Sequence, residues 1–196
     1  SYPGIKKAFI SSGIRYDLIL QEDADSEIDR LNKKYFRELV RYHISGKLKV
    51  APEHRSEEVL KLMRKPSFRL FEELNIQFKK INEEEKLNQL LIPYFISSHP
   101  GCTEIDMAQL AIATKTLNFR LEQVQDFTPT PMTLATVIYY SGYHPYTLEK
   151  IYTARSQKAK REQRKFFFWY KKEYRKSILN ELYAKGRKDL ADKLFK

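Results

Sequence analysis

The sequence predicts an α/β fold: a partial (β/α) barrel built from four strand–helix units, followed by a long basic C-terminal helix. The order strand, polar loop, helix recurs four times between residues 4 and 142. The apolar run of residues 90–96 shows no alternation, which is typical of a strand covered on both faces in a parallel sheet. The charge then changes abruptly near residue 154, which marks the start of the basic segment.

The first two units show these signals in order. Residues 5–10 are predicted to form a strand, which ends at the small polar residues 11–13 before a helix that begins near Ser26. Apolar residues at helical spacing give that helix one buried face. The second unit has a short strand core at residues 48–50, and its helix ends or kinks at Pro66. A further amphipathic helix follows that proline.

The third and fourth units repeat the plan. A polar loop at residues 97–101 follows the third strand, and Thr103 with Asp106 three positions later is the capping-box signal of a helix start. The fourth strand is predicted at residues 123–127, and a short apolar helix at residues 133–140. Four such units amount to half of an eight-unit barrel, or most of a six-unit one. The loops after parallel strands would then meet at one edge.

Composition excludes several classes of protein. The single cysteine, Cys102, cannot form an internal disulfide, a four-cysteine zinc site or an iron–sulfur cluster on its own, and it favours a cytoplasmic location. No apolar run approaches the ~20 residues of a membrane span, so no membrane partner is expected. The chain also lacks the order of a Ser/His/Asp triad, a phosphate-binding Gly-rich loop and zinc-ligand spacing. Cys102 itself is expected to be a small buried residue.

The positive charge is concentrated in the C-terminal segment. Residues 1–154 carry 21 Lys/Arg and 20 Asp/Glu, whereas residues 155–196 carry 15 and 5, so the net charges are +1 and +10. Between residues 155 and 176, ten Lys and Arg residues are interleaved with six aromatic residues at positions 166–170 and 174. This pattern predicts one long helix over residues 155–185 and leaves two interpretations of its purpose open.

In the first interpretation the segment binds RNA or another polyanion, through counterion release and base stacking. In the second, its aromatic stripe packs on the barrel and only its basic face meets water. The second is favoured, because six aromatic side chains left in water would form a large apolar patch. We therefore expect Phe167, Tyr170 and Tyr174 to be buried. The cations expected to stay in water, free to meet a polyanion, are Lys160, Arg164, Lys171 and Arg175.

Four stretches carry a resemblance to a known family. They are SSGIRYDLIL (11–20), SGKLKVAPEHRSEEVLKLMRKPS (45–67), PYFISSHPGCTEIDMAQLA (93–111) and VQDFTPTPMTLATVIYYSG (124–142). Together they closely resemble the C-terminal half of YgiQ-type radical S-adenosylmethionine (SAM) proteins, over residues 1–150. Residues 151–196 are similar to the extension that follows the barrel in this family.

The resemblance implies a six-stranded partial barrel of the radical SAM type, of which this chain carries the last four strands. It implies SAM and a [4Fe–4S] cluster as cofactors, and one-electron cleavage of SAM to a 5′-deoxyadenosyl radical. The family's cluster motif, CxxxCxxC, is absent from this chain and is expected upstream of Ser1. We therefore expect a C-terminal fragment that is inactive and binds neither cofactor alone, with the missing N-terminal half of the same protein as its partner.

Polar residues near the predicted strand ends are the candidates for contacting SAM or substrate. They are Arg15, Asp17, Lys49, Glu53, His54, Ser97, Ser98, His99, Gln125, Asp126 and Thr128. Glu53 with His54 is the strongest pair, because a carboxylate at a strand end accepts hydrogen bonds from ribose hydroxyls. His99 precedes a helix start whose free N–H groups suit a carboxylate or phosphate. Loop capping and surface ion pairs are the alternative interpretation, and no catalytic role is assigned.

Overall fold

The computed structural model describes residues 4–20, 26–121 and 124–196. Helices and short strands alternate along these ranges. The helices are α1 (Tyr16–Leu20), α2 (Ser26–His43), α3 (Glu57–Met63), α4 (Phe68–Glu84), α5 (Glu104–Thr116), α6 (Leu134–Ser141), α7 (Gln157–Arg164), a 3₁₀ helix (Lys165–Phe168), α8 (Lys172–Ala184) and α9 (Lys188–Phe195). No helix within the described ranges is long and apolar enough to cross a membrane.

Three strands form an open sheet in the order β1–β2–β3. They are β1 (Lys47–Glu53), β2 (Leu90–Ser97) and β3 (Gln125–Asp126). The last two run parallel, with Ile96 opposite Gln125 and Ser97 opposite Asp126. The predicted α/β class is therefore confirmed, with helices between the strands. The predicted partial barrel is not confirmed, because the three strands of the described residues form an open sheet.

The predicted first strand is wrong. Residues 5–15 have no strand structure, although the N–H of Ile10 donates a hydrogen bond to the carbonyl of His43. Ile5 and Phe9 are 61% and 50% exposed, so this run lacks the apolar packing that stabilises a strand. The predicted fourth strand is shortened to β3; its first predicted residue, Gln123, lies outside the described ranges.

Burial alternates along β1 and β2. In β2 every second residue from Leu91 to Ser97 is buried, whereas those between are only partly buried. The expectation of a strand covered on both faces is therefore wrong for this structure: one face is buried and the other is partly open. The apolar composition of the run hid this alternation, because Ile92, Tyr94 and Ile96 are apolar without being buried.

The chain divides into two compact units. The first comprises Ser1–Pro52 with Pro66–Tyr94, and the second comprises Glu53–Lys65 with Phe95–Lys196. In the first unit α4 packs against α1 and α2, and its Phe71 and Leu74 are completely buried. The proposed boundary near residue 150 stays a prediction, because these units are defined by spatial contact rather than by family.

In the second unit α5 lies at the centre. It packs against α7, the 3₁₀ helix and α9, and its capping box of Thr103 with Asp106 is confirmed. Phe166, Phe167 and Ile178 are buried in this unit. The C-terminal segment therefore contributes to the same core as α5.

The predicted single helix over residues 155–185 is wrong. It is broken into α7, the 3₁₀ helix and α8. Phe166 and Phe167 are both buried at this break, within the 3₁₀ helix. Beyond the break, the Trp169 indole donates to Thr114 Oγ1 at 3.2 Å and the Tyr170 hydroxyl to the Leu121 carbonyl at 2.7 Å.

Candidate functional site

A cavity of about 420 Å³ lies in the second unit, where β1, β2 and β3 end. Each strand contributes to its wall: Glu53 from β1, Ile96 and the following His99 from β2, and Gln125 from β3. The rest of the wall comes from the end of α3, the loop after β3 and the start of α6; it consists of Leu62, Met63, Arg64, Lys65, Phe127, Thr128, Thr130, Thr133, Leu134 and Ala135. The structure thus brings together four of the predicted site residues, namely Glu53, His99, Gln125 and Thr128.

Two strand ends adopt a left-handed backbone conformation. Glu53 has a φ of 65° and Ser98 a φ of 61°, values that non-glycine residues seldom adopt and that cost free energy. Such conformations persist where the surrounding structure holds them. The Ser98 N–H donates to Gln163 Oε1 at 2.9 Å, and Gln163 Nε2 donates to the Cys102 carbonyl at 2.6 Å. Gln163 of α7 therefore holds the loop after β2 at two points.

Glu53 is the acidic group of the cavity. Its carboxylate lies 3.3 Å from the Lys65 ammonium. Burial raises the pKa of Glu53, and the charge of Lys65 opposes that rise. A partly buried carboxylate with one cationic partner keeps acceptor capacity for hydroxyl groups of a ligand.

His99 supplies a neutral imidazole to the same wall. Its side chain is buried, Nδ1 donates to the Pro100 carbonyl at 2.9 Å, and the ring lies edge-on to Phe127 at 5.0 Å between centroids. Burial lowers the pKa of His99. Because Nδ1 is the donor, Nε2 is left as an acceptor.

Ser97 and Asp126 join the ends of β2 and β3. The Ser97 hydroxyl donates to Asp126 Oδ1 at 2.6 Å, and Arg164 of α7 lies 3.3 Å from Asp126 Oδ2. Neither residue lines the cavity. They fix the spacing of the two strand ends that do. The neighbouring Ser98 hydroxyl is buried, and no described residue accepts or donates a hydrogen bond to it.

His54 points away from the cavity although it follows Glu53. It is completely buried, its Nδ1 accepts the Ser56 N–H at 3.0 Å, and its Nε2 lies 3.4 Å from Cys102 Sγ. Burial lowers the pKa of His54 to about 4 and raises the pKa of the Cys102 thiol. The structure thus separates the predicted pair: Glu53 faces the cavity, and His54 is a satisfied core histidine.

Three predicted site residues belong to the first compact unit. Arg15 and Asp17 form a two-point ion pair, with N–O distances of 2.9 and 2.7 Å. Lys49 is exposed on β1. Their predicted contact with SAM or substrate stays a prediction.

The basic pair Arg64–Lys65 and the buried Gln163 were not among the residues predicted for the site. Arg64 is the C-cap of α3, and Lys65 stands directly before Pro66. A proline that ends a helix restricts the backbone around it, which was a signal that these two cations lie in a defined turn. Gln163 gave no such signal, because it lies among charged residues that indicate an exposed helix. Only the tertiary structure shows it buried.

Part of the chain matches a protein-family model. Residues 122–193 match the model described as "Domain of unknown function (DUF3362)". This region contains the loop after β3, α6 and most of the C-terminal segment. It therefore includes part of the cavity wall and Gln163.

Curated relatives are proteins of the UPF0313 group. The chain is 62% identical to a UPF0313 protein of Bacteroides thetaiotaomicron over 98% of its own length and 31% of that protein. It is 58% identical to one of Porphyromonas gingivalis over 98% of its length and 30% of the relative. For one of Clostridium perfringens the identity is 43%, covering 96% of this chain and 27% of the relative. The chain thus spans about a third of these relatives, and no solved structure matches it.

Proposed function

We propose that this chain is the C-terminal part of a radical SAM enzyme of the YgiQ type, and that the cavity holds SAM or the substrate. The observation that carries the proposal is the convergence of polar side chains from three strand ends on one cavity. Ligand sites of α/β proteins lie at the carboxyl ends of the strands. A volume of about 420 Å³ also falls in the range of small-molecule sites.

The cavity residues divide the task of binding between them. Glu53 accepts hydrogen bonds from ligand hydroxyls, Gln125 and Thr128 offer both donors and acceptors, and neutral His99 offers Nε2 as an acceptor. Apolar side chains, among them Leu62 and Phe127, provide the rest of the wall, which excludes water from an aromatic base. SAM bound there would be the source of a 5′-deoxyadenosyl radical.

The iron–sulfur cluster does not fit this chain. A radical SAM cluster takes three protein thiolates, and Cys102 is the one cysteine here, buried beside His54. The described residues also contain no group of three His, Cys, Asp or Glu side chains able to hold a metal ion. The cluster ligands of the proposed enzyme would therefore come from another part of the protein.

We predict that the isolated chain takes up no iron. Anaerobic reconstitution followed by iron and sulfide assays measures this directly. Stoichiometric [4Fe–4S] in the monomeric chain would contradict the prediction, since one thiolate cannot hold a cluster.

Replacement of Glu53 tests the cavity. In the complete protein, Glu53→Gln should weaken SAM or substrate affinity about tenfold, because the amide loses the charged acceptor. Equilibrium dialysis with labelled SAM measures binding, and release of 5′-deoxyadenosine measures SAM cleavage. Glu58→Gln is the control, because Glu58 is exposed on α3 of the same unit. Equal effects of both substitutions, or no binding of SAM by the reconstituted protein, would defeat the proposal.

A further inference from the structure

A second surface of the second unit combines aromatic rings with cations. Phe168, at the end of the 3₁₀ helix, stacks on Tyr174 of α8 with centroids 5.8 Å apart and planes inclined by 28°. The Lys171 ammonium lies 4.7 Å from the Phe168 centroid, and the Arg175 guanidinium lies 5.2 Å from the Phe195 centroid. We call Phe168, Lys171, Tyr174 and Arg175 the aromatic–basic surface.

The cations of this surface are not neutralised by the fold. Lys171 and Arg175 are exposed and form no ion pair with a described carboxylate; Arg175 donates only to the Phe195 carbonyl, at 3.4 Å. Other cations of the C-terminal segment do have such partners. Arg164 pairs with Asp126 and Arg187 with Asp189. Lys172 and Lys176 are exposed beside the surface and, like Lys171 and Arg175, form no ion pair with a described carboxylate, so the unpaired charge extends along the start of α8.

The position of these cations also works against the helix they belong to. Lys171 precedes α8, and Lys172, Arg175 and Lys176 lie in its first turns. The helix dipole places partial positive charge at this end, so acidic residues are favoured there and basic residues are not. Glu173 is the one acidic residue in this first turn, so an approaching anion meets more basic than acidic side chains at the helix end.

The rings of the surface differ from their neighbours in burial. Phe166 and Phe167 fill the core, and the polar atoms of Trp169 and Tyr170 are bonded to Thr114 and to the Leu121 carbonyl. Phe168 and Tyr174 are only partly buried and pack on each other. Their partly open rings next to unpaired cations match the arrangement by which proteins stack bases and hold phosphates.

We propose that the aromatic–basic surface binds single-stranded nucleic acid. Lys171 and Arg175 contact phosphates, and a base stacks on the Tyr174–Phe168 pair. An acidic peptide would use the cations, but its carboxylates are not aromatic bases that stack on the rings. An anionic membrane would require rings that project freely, whereas these two lie against each other. This inference does not rest on the proposed radical SAM function.

Fluorescence anisotropy of the complete protein with a labelled, unstructured RNA of about 12 nucleotides tests the proposal, since single-strand sites span roughly 4–16 nucleotides. DNA of the same sequence is the second probe. Lys171→Glu with Arg175→Glu should weaken binding at least about tenfold and reduce the slope of log Kd against log salt by roughly 1.4, the value for two lost phosphate contacts. Tyr174→Leu should weaken binding about fivefold without changing the slope.

The matched control is Lys33→Glu with Lys34→Glu on exposed positions of α2, which changes the net charge equally in the other compact unit. It should leave Kd within about twofold. Equal weakening by both double variants, an unchanged Kd for Tyr174→Leu, or tighter binding to anionic vesicles than to either oligonucleotide would overturn the proposal. Far-UV circular dichroism checks folding. If the glutamate pair is unstable, Lys171→Gln with Arg175→Gln replaces it; it removes the same two phosphate contacts and should reduce the slope by the same amount, roughly 1.4.

Discussion

At the scale of the residue, adjacent positions of this chain have opposite roles. Glu53 and His54 were equally good candidates in the sequence, because both are polar and follow a predicted strand. The alternating burial of β1 continues past its end, so Pro52 and His54 are buried while Glu53 between them, with its left-handed backbone, lines the cavity. Both candidates are polar, so the residue types alone did not show which of the two could meet a ligand.

The buried imidazole of His54 predicts a pH-dependent stability. Its pKa is lowered to about 4 from 6.5, so between these values the unfolded state binds a proton that the folded state does not. The free energy of unfolding should therefore be highest above pH 6.5 and fall by up to about 3 kcal/mol as the pH drops to 4. Urea unfolding at a series of pH values measures this.

The variant His54→Asn isolates that contribution. Asparagine can still accept the Ser56 N–H but does not titrate, so the curve should be flatter between pH 6.5 and 4. His144→Asn is the control, because His144 accepts backbone N–H groups in the same way but is not buried. A pH dependence that His54→Asn leaves unchanged would show that other groups cause it.

At the scale of the element, the signals carried by strong local chemistry were reliable. The capping box at Thr103 is set by neighbouring residues, and the structure has it. The prediction of one long C-terminal helix was wrong because the break in it is not determined by neighbouring residues. Its break arises from burial of Phe166 and Phe167 and from hydrogen bonds to α5 and to Leu121, which are tertiary contacts that helical spacing does not report. The cavity residues from α3 were likewise missed because their neighbours in space are distant in sequence.

Replacement of Gln163 tests how much its two hydrogen bonds to the loop after β2 stabilise the protein. Gln163→Leu should lower the free energy of unfolding by about 2–3 kcal/mol, because the Ser98 N–H and the Cys102 carbonyl lose their partners in a buried site. Thermal unfolding followed by circular dichroism measures the loss. Gln157→Leu, at the exposed start of α7, should change stability by less than about 0.5 kcal/mol. Similar values for both variants would mean that the Gln163 bonds contribute nothing.

At the scale of the whole molecule, the sequence predicted the α/β class but not the extent of the sheet. The resemblance of the motifs predicted four strands, whereas the described residues form three strands in an open sheet. Exposed apolar side chains remain on several elements, including Ile76 and Leu90 at 67% and 54%. An open sheet with exposed apolar residues is what a partner segment of the proposed larger enzyme would cover.

We therefore predict that the isolated chain self-associates or is poorly soluble. Its open sheet has two edge strands, β1 and β3, although Lys47, Lys49 and Pro52 hinder pairing along β1. Multi-angle light scattering across a concentration series measures the molar mass. A monodisperse monomer that binds no hydrophobic dye would contradict the prediction. The complete protein is the reference sample, and it should be less prone to association.

The two hydrogen bonds of Gln163 limit how freely natural or artificial recombination can exchange the parts of this protein. An extension taken from a relative with a different residue at this position would arrive without the amide that holds Ser98 and Cys102. Chimeras joined between residues 142 and 155 would then look well matched at the junction and still lose the geometry of the loop after β2. Compatibility of donor and acceptor sequences therefore depends on a side chain that lies roughly 8 to 21 positions beyond the junction, as well as on the sequence at the junction itself.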